Sequence, residues 1–275
     1  MASSGMDLTD VRATMLRTLH LRALDANSPA PVLGDRYAAE AVRRIDYDWG
    51  RLAKRGLAND CYAVALRANR FDDLAAGFLR RHADAAVIDL GCGLDSRAFR
   101  LAPGSGVRWF DIDLPEVVEL RRRLYADGDG YRMLAGSATD PRWLRELPSD
   151  GPTLVIIEGL LMYLSPAANR ELFRRLTEHR TTGEIVFDGV APWVAAKSRV
   201  LKRCFPRWHR APAYLTSQRD YPGIIAETPG LRQITDVGVL TDTHRAPDPS
   251  VRRYYGLLGK VAAIENWMRV FRTAF

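Results

Sequence analysis

Runs of apolar, largely β-branched residues recur through the middle of the chain, over Val87 to Leu90, Val107 to Ile112, Thr153 to Ile157 and Glu184 to Val190. Each is followed by a polar or glycine-bearing stretch, and short apolar runs with such bounds predict buried strands. The stretch RMLAGS, from Arg132, predicts a shorter strand between the second and third of these. Pro115 stops the second strand and a helix is expected from about Glu116. From Thr9 to Asn59 helical periodicity alternates with breakers at Pro29, Pro31 and Gly34, and the tail from Arg252 reads as a helix and then a final strand. Strands alternating with helices predict an α/β fold with a doubly wound, mostly parallel sheet.

The first strand carries the chemistry. In VIDLGCGLDSRAFRL, Val87 to Leu101, an acidic strand end at Asp89 breaks into a turn containing Gly91 and Gly93 and then opens a helix. Glycines there permit a tight turn and let a ligand approach the main chain, while the helix start points free N–H groups at it. A dinucleotide fingerprint needs a third glycine, and Ser96 stands in that place. A GxG without it suits a ligand that has no pyrophosphate, of which S-adenosylmethionine is the commonest on this layout.

Further pieces follow in register. Asp111 and Asp113 lie at the carboxyl end of the second strand, on the same side of it, where a carboxylate accepts both hydroxyls of a ribose. Asp113 is nearer the loop and is preferred, although an N-cap role for the next helix would also suit it. Glu158 ends the strand Thr153 to Ile157. A carboxylate at the mouth of a sheet needs a partner, and the α-amino group of a bound methionine moiety would serve. Ser137 and Ala138 fall in the loop where an adenine ring would lie.

With these motifs in place the chain resembles the leucine carboxyl methyltransferase family, and within it the tetracenomycin-type polyketide O-methyltransferases. The likeness rests on RANRFDD (Arg67 to Asp73), the glycine-turn segment, WFDIDLPEVVELRRRLY (Trp109 to Tyr125) and EGLLMYLSP (Glu158 to Pro166), which span the first two thirds of the chain. It implies a class I methyltransferase (Rossmann-like) fold that uses S-adenosyl-L-methionine. It also implies that Arg67 holds the methionine carboxylate, that Gly91, Gly93 and Glu158 line the amino-acid end and that Asp113 holds the ribose, with Asp89, Asp111, Gly159 and Tyr163 as further cofactor-binding residues. Arg67 has a physical rationale as well, since a guanidinium grips a carboxylate bidentately, although a solvated helix arginine would read the same. The family's acidic residue near the adenine is missing, so Ser137 or Asp140 must serve, and Asp111 is kept beside Asp113.

A chain of 275 residues, 47% hydrophobic, buries one substantial core, so a single domain is expected. Its parts read as a helical N-terminal cap (1–66), a cofactor-binding core (67–190), a helical lid insertion (191–223) and C-terminal strands and helix (224–275). Charged residues interrupt the opening segment, and neither a signal peptide nor a membrane span is expected, which predicts a cytoplasmic protein. Cys61, Cys92 and Cys204 are widely spaced, with no histidine at ligand spacing, so neither a disulfide framework nor a metal site is indicated.

The net charge of +7 raises nucleic acid as a partner. Acidic residues are interspersed almost everywhere, however, and Arg121, Arg122 and Arg123 are expected on an exposed helix, so a small acidic or aromatic acceptor is preferred. The lid segment crowds three Trp or Phe, two Tyr and seven Lys or Arg side chains between two strands. Its helix is expected to turn Trp193, Val194, Val200 and Leu201 inward. Arg203, Arg207, His209, Arg210 and Tyr214 are the candidates to contact the acceptor, with Tyr254 or Tyr255 reaching in from the tail.

Methyl transfer from a sulfonium is an in-line displacement that needs no metal, and its rate comes largely from alignment. A carboxylate acceptor is already ionised near neutrality and needs no base. A phenol, with a pKa near 10, does, and His209 is the candidate, with Arg210 and Tyr214 beside it as catalytic residues. The expected function is O-methylation of a small aromatic or polyketide-like metabolite by a monomer or homodimer. Methylation of a protein carboxyl terminus, or a non-methylating reaction on the same fold, are the alternatives.

Overall fold

A computed structural model describes residues 8–50, 57–148, 150–179, 182–204, 212–246, 248–258, 260–261 and 265–275. Seven strands form one sheet: β1 (Ala86–Leu90), β2 (Arg108–Asp113), β3 (Tyr131–Ala135), β4 (Thr153–Ile157), β5 (Gly183–Val190), β6 (Arg232–Gly238) and β7 (Met268–Ala274). Their order is β3-β2-β1-β4-β5-β7-β6. The first five run parallel, whereas β7 is antiparallel to both β5 and β6. The expected strands therefore appear within a residue or two of their predicted bounds. β1 and β4 are buried along their whole length, which is why they read as unbroken apolar runs rather than as alternation.

The connections explain where a ligand fits. From β1 the chain steps outward to β2 and β3, then returns to place β4 on the other side of β1. The sheet order reverses between β1 and β4, and a crevice opens beyond their carboxyl ends at such a switch point. On one face, helices α3 (Leu57–Arg81), α4 (Arg97–Leu101) and α5 (Pro115–Leu124) bury Leu66, Phe71, Phe78, Ala98 and Val118. On the other, α6 (Pro166–His179) and α8 (Tyr221–Glu227) bury Phe173, Leu176, Tyr221 and Ile224. At the N-terminus α1 (Leu8–Ala26) and α2 (Arg36–Arg44) pack together through Leu19, Ala23, Ala38 and Ala41, and this cluster closes on Leu94 of the glycine turn.

Two expectations are corrected. Arg121 is not on an exposed face: it is fully buried, three and four residues along α5 from the inward-facing Val118 and Val117, and its charge is met by Asp111. Arg122 and Arg123 are exposed as expected. In helix α7 (Pro192–Cys204), within the segment expected as a lid, the inward positions are the small residues Ala195 and Ser198. Trp193 and Val200 are instead 46% and 58% exposed, because a helix seated on small side chains turns its bulky ones outward.

Candidate functional site

The turn after β1 has the predicted geometry. Gly91 and Gly93 adopt positive φ angles of 72° and 53°, a region that side chains beyond glycine enter only with strain. A Cβ on Gly91 would stand 2.9 Å from Leu160, and one on Gly93 would stand 3.4 Å from Met15 of α1. We expect Gly91→Ala to destabilise the protein by about 2 kcal/mol, read from denaturant unfolding, because strain and the Leu160 contact act together.

The main chain of the turn is tied to β2. The N–H of Gly91 donates to Ile112 at 2.7 Å, and that of Gly93 to Oδ2 of Asp113 at 2.7 Å. The other oxygen of Asp113 accepts from Leu114 N–H, so this half-buried carboxylate braces the crevice mouth and does not cap α5, whose cap position is Leu114. Asp111 is a different case. It is 2% exposed, and its oxygens are taken by the Trp109 indole, the Tyr131 hydroxyl and Arg121. The acceptor sites of Asp111 are thus filled from inside the core, whereas Asp113 stands at the strand end beside the turn.

Between the turn and β4 lies a connected set of buried charges. Arg97, 1% exposed, reaches Asp72 at 2.8 Å, Asp89 at 2.9 Å, Asp95 at 3.0 Å and Glu158 at 2.5 Å. Arg100 joins Asp72 and Asp95 to Asp35, and Arg22 of α1 reaches Asp95 and Glu158. Arg67 pairs with Glu158 at 2.9 Å and with Asp188 at 3.0 Å, and Asp188 also accepts from Gly159 N–H at 2.8 Å. Arg67 is therefore no solvated helix arginine.

Burial opposes the charged form of a carboxylate, and at Glu158, Asp95, Asp188 and Asp89 the partners decide the outcome. At Glu158 burial is outweighed by Arg67, Arg97 and Arg22, which hold the carboxyl below its ordinary range. Asp95, ringed by Arg22, Arg97 and Arg100, is held well below it. Burial wins at Asp188 and at Asp89, the latter pushed up to about 8. The buried Cys92 thiol is raised well above the usual range by burial, which fits a packing residue and not a nucleophile.

Past Glu158 the surface becomes aromatic. The Tyr163 and Tyr214 rings lie 5.3 Å apart, and the Tyr163 hydroxyl bonds to Tyr214 and to Thr14 of α1 beside Arg67. Burial raises the Tyr163 phenol well above its usual range, so it stays protonated and acts as a hydrogen-bond donor. Ser137 pairs with Thr139 at 3.0 Å, and its carbonyl accepts from Trp143; Ala138 packs on the core beside it. Asp140 turns to Arg142 at the surface, so Ser137 is the better placed of the two for an adenine. His209, Arg210 and Arg207 lie outside the described residues. Arg203 is exposed on α7 and Tyr255 is buried.

Sequence reasoning passed over Arg22, Asp72, Asp95, Arg97, Arg100 and Asp188. A signal for some of them was present: DSRAFR directly after the turn and FDD in α3 place charges within otherwise apolar helix faces. The residues fit a compact zwitterion with additional positive charge. The turn presents bare main chain at Gly93, with Met15 of α1 standing against it, and among the described residues the carboxylates beside it outnumber the guanidinium groups that pair with them.

This fold is that of the class I methyltransferases. The structure matches a protein of the DUF574 family from Streptomyces avermitilis with a TM-score of 0.56 at 14% identity, covering 94% of this chain and 96% of that one. It matches magnesium protoporphyrin IX methyltransferase from Synechocystis, with bound SAH, with a TM-score of 0.50 at 14% identity, covering 86% of this chain and 93% of that one. The leucine carboxyl methyltransferase model matches residues 15–177, and the chain belongs to that family, whose methyl donor is S-adenosyl-L-methionine. Among relatives, it is 49% identical over 186 residues to the tetracenomycin polyketide synthesis O-methyltransferase TcmP of Streptomyces glaucescens, across 68% of each chain. It is 38% identical over 198 residues to the S-adenosyl-L-methionine-dependent methyltransferase dpfgK of Gibberella zeae, across 66% of each. Among the described residues no helix is long and apolar enough to cross a membrane, and no group of side chains is arranged to hold a metal ion.

Proposed function

We propose that the chain is an O-methyltransferase acting on a small aromatic, polyketide-like acceptor at a carboxylate or a phenolic hydroxyl. The observation that carries the reading is the Tyr163–Tyr214 pair beside Arg67, an aromatic wall with hydroxyl groups next to the glycine turn and its carboxylates. The 49% identity to an O-methyltransferase of polyketide synthesis supports the same acceptor class. In this reading the chain is one domain whose helices α1 and α7 flank the crevice, and it works in the cytoplasm as a monomer or homodimer.

When bound, S-adenosylmethionine supplies a methyl group on a sulfonium, open to in-line displacement. Gly91 and Gly93 let its amino-acid end approach main chain, Arg67 and Glu158 orient that end, Asp113 takes the ribose and Ser137 with Ala138 borders the adenine. Tyr163, kept protonated by burial and donating to Tyr214, fixes that ring as a wall against which the acceptor is aligned, which supplies rate through orientation. A carboxylate acceptor becomes an ester with no proton to move. A phenol must lose one, and His209, with Arg210 and Tyr214 near it in sequence, is the proposed acceptor of that proton.

Screening aromatic acids and phenols with isotopically labelled cofactor tests the proposal, and label recovered only in protein would overturn it in favour of a protein carboxyl terminus. We expect Tyr163→Phe to lower kcat/KM for the acceptor about tenfold, the worth of one oriented hydrogen bond, while cofactor affinity by calorimetry stays within about twofold. His209→Ala should lower turnover of a phenol at least about tenfold and spare a carboxylate.

A further inference from the structure

The connected set described above joins six carboxylates, Asp35, Asp72, Asp89, Asp95, Glu158 and Asp188, to four guanidinium groups, Arg22, Arg67, Arg97 and Arg100. Among the described residues, with all of them ionised, two negative charges are in excess, and none of these side chains is more than 14% exposed. Buried charge without a counter-charge is costly, and proteins relieve it by taking up protons or cations.

Asp89 is the member with the poorest provision. Its cationic contact is Arg97, which Asp72, Asp95 and Glu158 share. The charged groups facing it from other elements give little relief. Asp111, directly across on β2, is engaged with Arg121; Asp95 and Cys92 approach from the turn, Glu158 from the end of β4 and Asp72 from α3; Arg22 of α1 spends its charge on Asp95 and Glu158. Asp35, by contrast, holds Arg100, the Ser96 hydroxyl and the Ala38 N–H. Burial is the largest cause that raises the Asp89 carboxyl, opposed by Arg97 and reinforced by Asp111, Asp95 and Glu158.

We propose that Asp89 carries a proton in the free protein and releases it to solvent when S-adenosylmethionine binds, so that the buried cluster tells the sulfonium from the thioether product by charge. The inference rests on the glycine turn being the place of the cofactor's amino-acid end. S-adenosylmethionine combines an ammonium, a sulfonium and a carboxylate, which leaves a net positive charge; S-adenosylhomocysteine lacks the sulfonium and has none. The donor thus replaces the proton as counter-charge, whereas the product leaves the proton on Asp89. Discrimination between donor and product then grows as the proton becomes easier to lose.

The direction with pH follows. The proton is held below about 8 in the free protein and expelled in the donor complex, so affinity for the donor rises by up to about tenfold per pH unit until about 8 and then levels. Both ligands share the α-ammonium, so the ratio of their affinities removes its titration.

Isothermal titration of both ligands into the full chain, in phosphate and in Tris at neutral pH, reads the protons released. The wild type is expected to release on the order of one proton more with S-adenosylmethionine than with S-adenosylhomocysteine, and Asp89→Asn to show no difference. The affinity ratio should climb about tenfold between roughly pH 6.5 and 8 in the wild type and stay flat in the variant. Equal release for the two ligands, or an unchanged difference in Asp89→Asn, overturns the proposal. Should the variant fail to fold, the infrared band of a protonated carboxyl decides in the wild type: it must vanish with the donor and persist with the product. Absence of binding by either ligand is a separate outcome that removes the cofactor site and the inference together.

Discussion

Arg97→Met is expected to lower the melting temperature by about 10 °C or more, on the scale of a few degrees per kcal/mol for a chain of this size. The side chain is 1% exposed and bonds four carboxylates from α3, β1, the glycine turn and the end of β4. Methionine fills much of the volume, so the change is largely one of charge. Removing one partner of a buried ion pair costs about 3–5 kcal/mol, because the other partner is left uncompensated, and here several are left at once. Against a typical domain stability of about 5–15 kcal/mol the loss is a large fraction. Thermal unfolding followed by circular dichroism reads it. A melting point within about 2 °C of the wild type would mean that Arg100 and Arg22 carry the cluster without Arg97.

Asp113→Ala should instead weaken S-adenosylmethionine binding about a hundredfold and lower the melting temperature only a few degrees. Its carboxylate accepts from Gly93 and Leu114 N–H and stands half-buried at the mouth of β2. Charge-assisted hydrogen bonds are worth about 1.5–3 kcal/mol each, and losing the brace on the turn together with the proposed ribose contact gives about two decades in affinity. Asp111→Asn is the contrasting variant. Because Asp111 is locked to Arg121, Tyr131 and Trp109, its replacement should cost stability and leave the affinity of the surviving folded protein nearly intact. Calorimetry on both, with melting curves alongside, separates the two roles; retained affinity in Asp113→Ala would remove it from the ribose.

Much of this molecule is legible in its sequence, and the reason is periodicity. β1, β2, β4 and β5 announce themselves because a parallel sheet buried on both faces demands unbroken apolar runs, and the glycine turn because positive φ demands glycine. What stayed hidden was partnership between distant positions. Arg97 sits eight residues from Asp89, but 25 from Asp72 and 61 from Glu158, and no local pattern joins such residues. Arg121 misled for the same cause: three consecutive arginines look like a solvated face until Asp111 is placed against the first. Trp193 and Val200 mislead because apolar residues at helical spacing suggest an inward face, whereas Ala195 and Ser198 are the buried positions of α7.

The reach of Arg22 from α1 into Asp95 and Glu158, with Met15 over Gly93 and Thr14 on Tyr163, makes the amino-terminal helix part of the site it adjoins. Trimming that helix is therefore no neutral shortening: it strands two carboxylates and bares the crevice in one stroke. A shortened protein that still folds is expected to bind its ligand more weakly, since this helix supplies part of the wall around the turn.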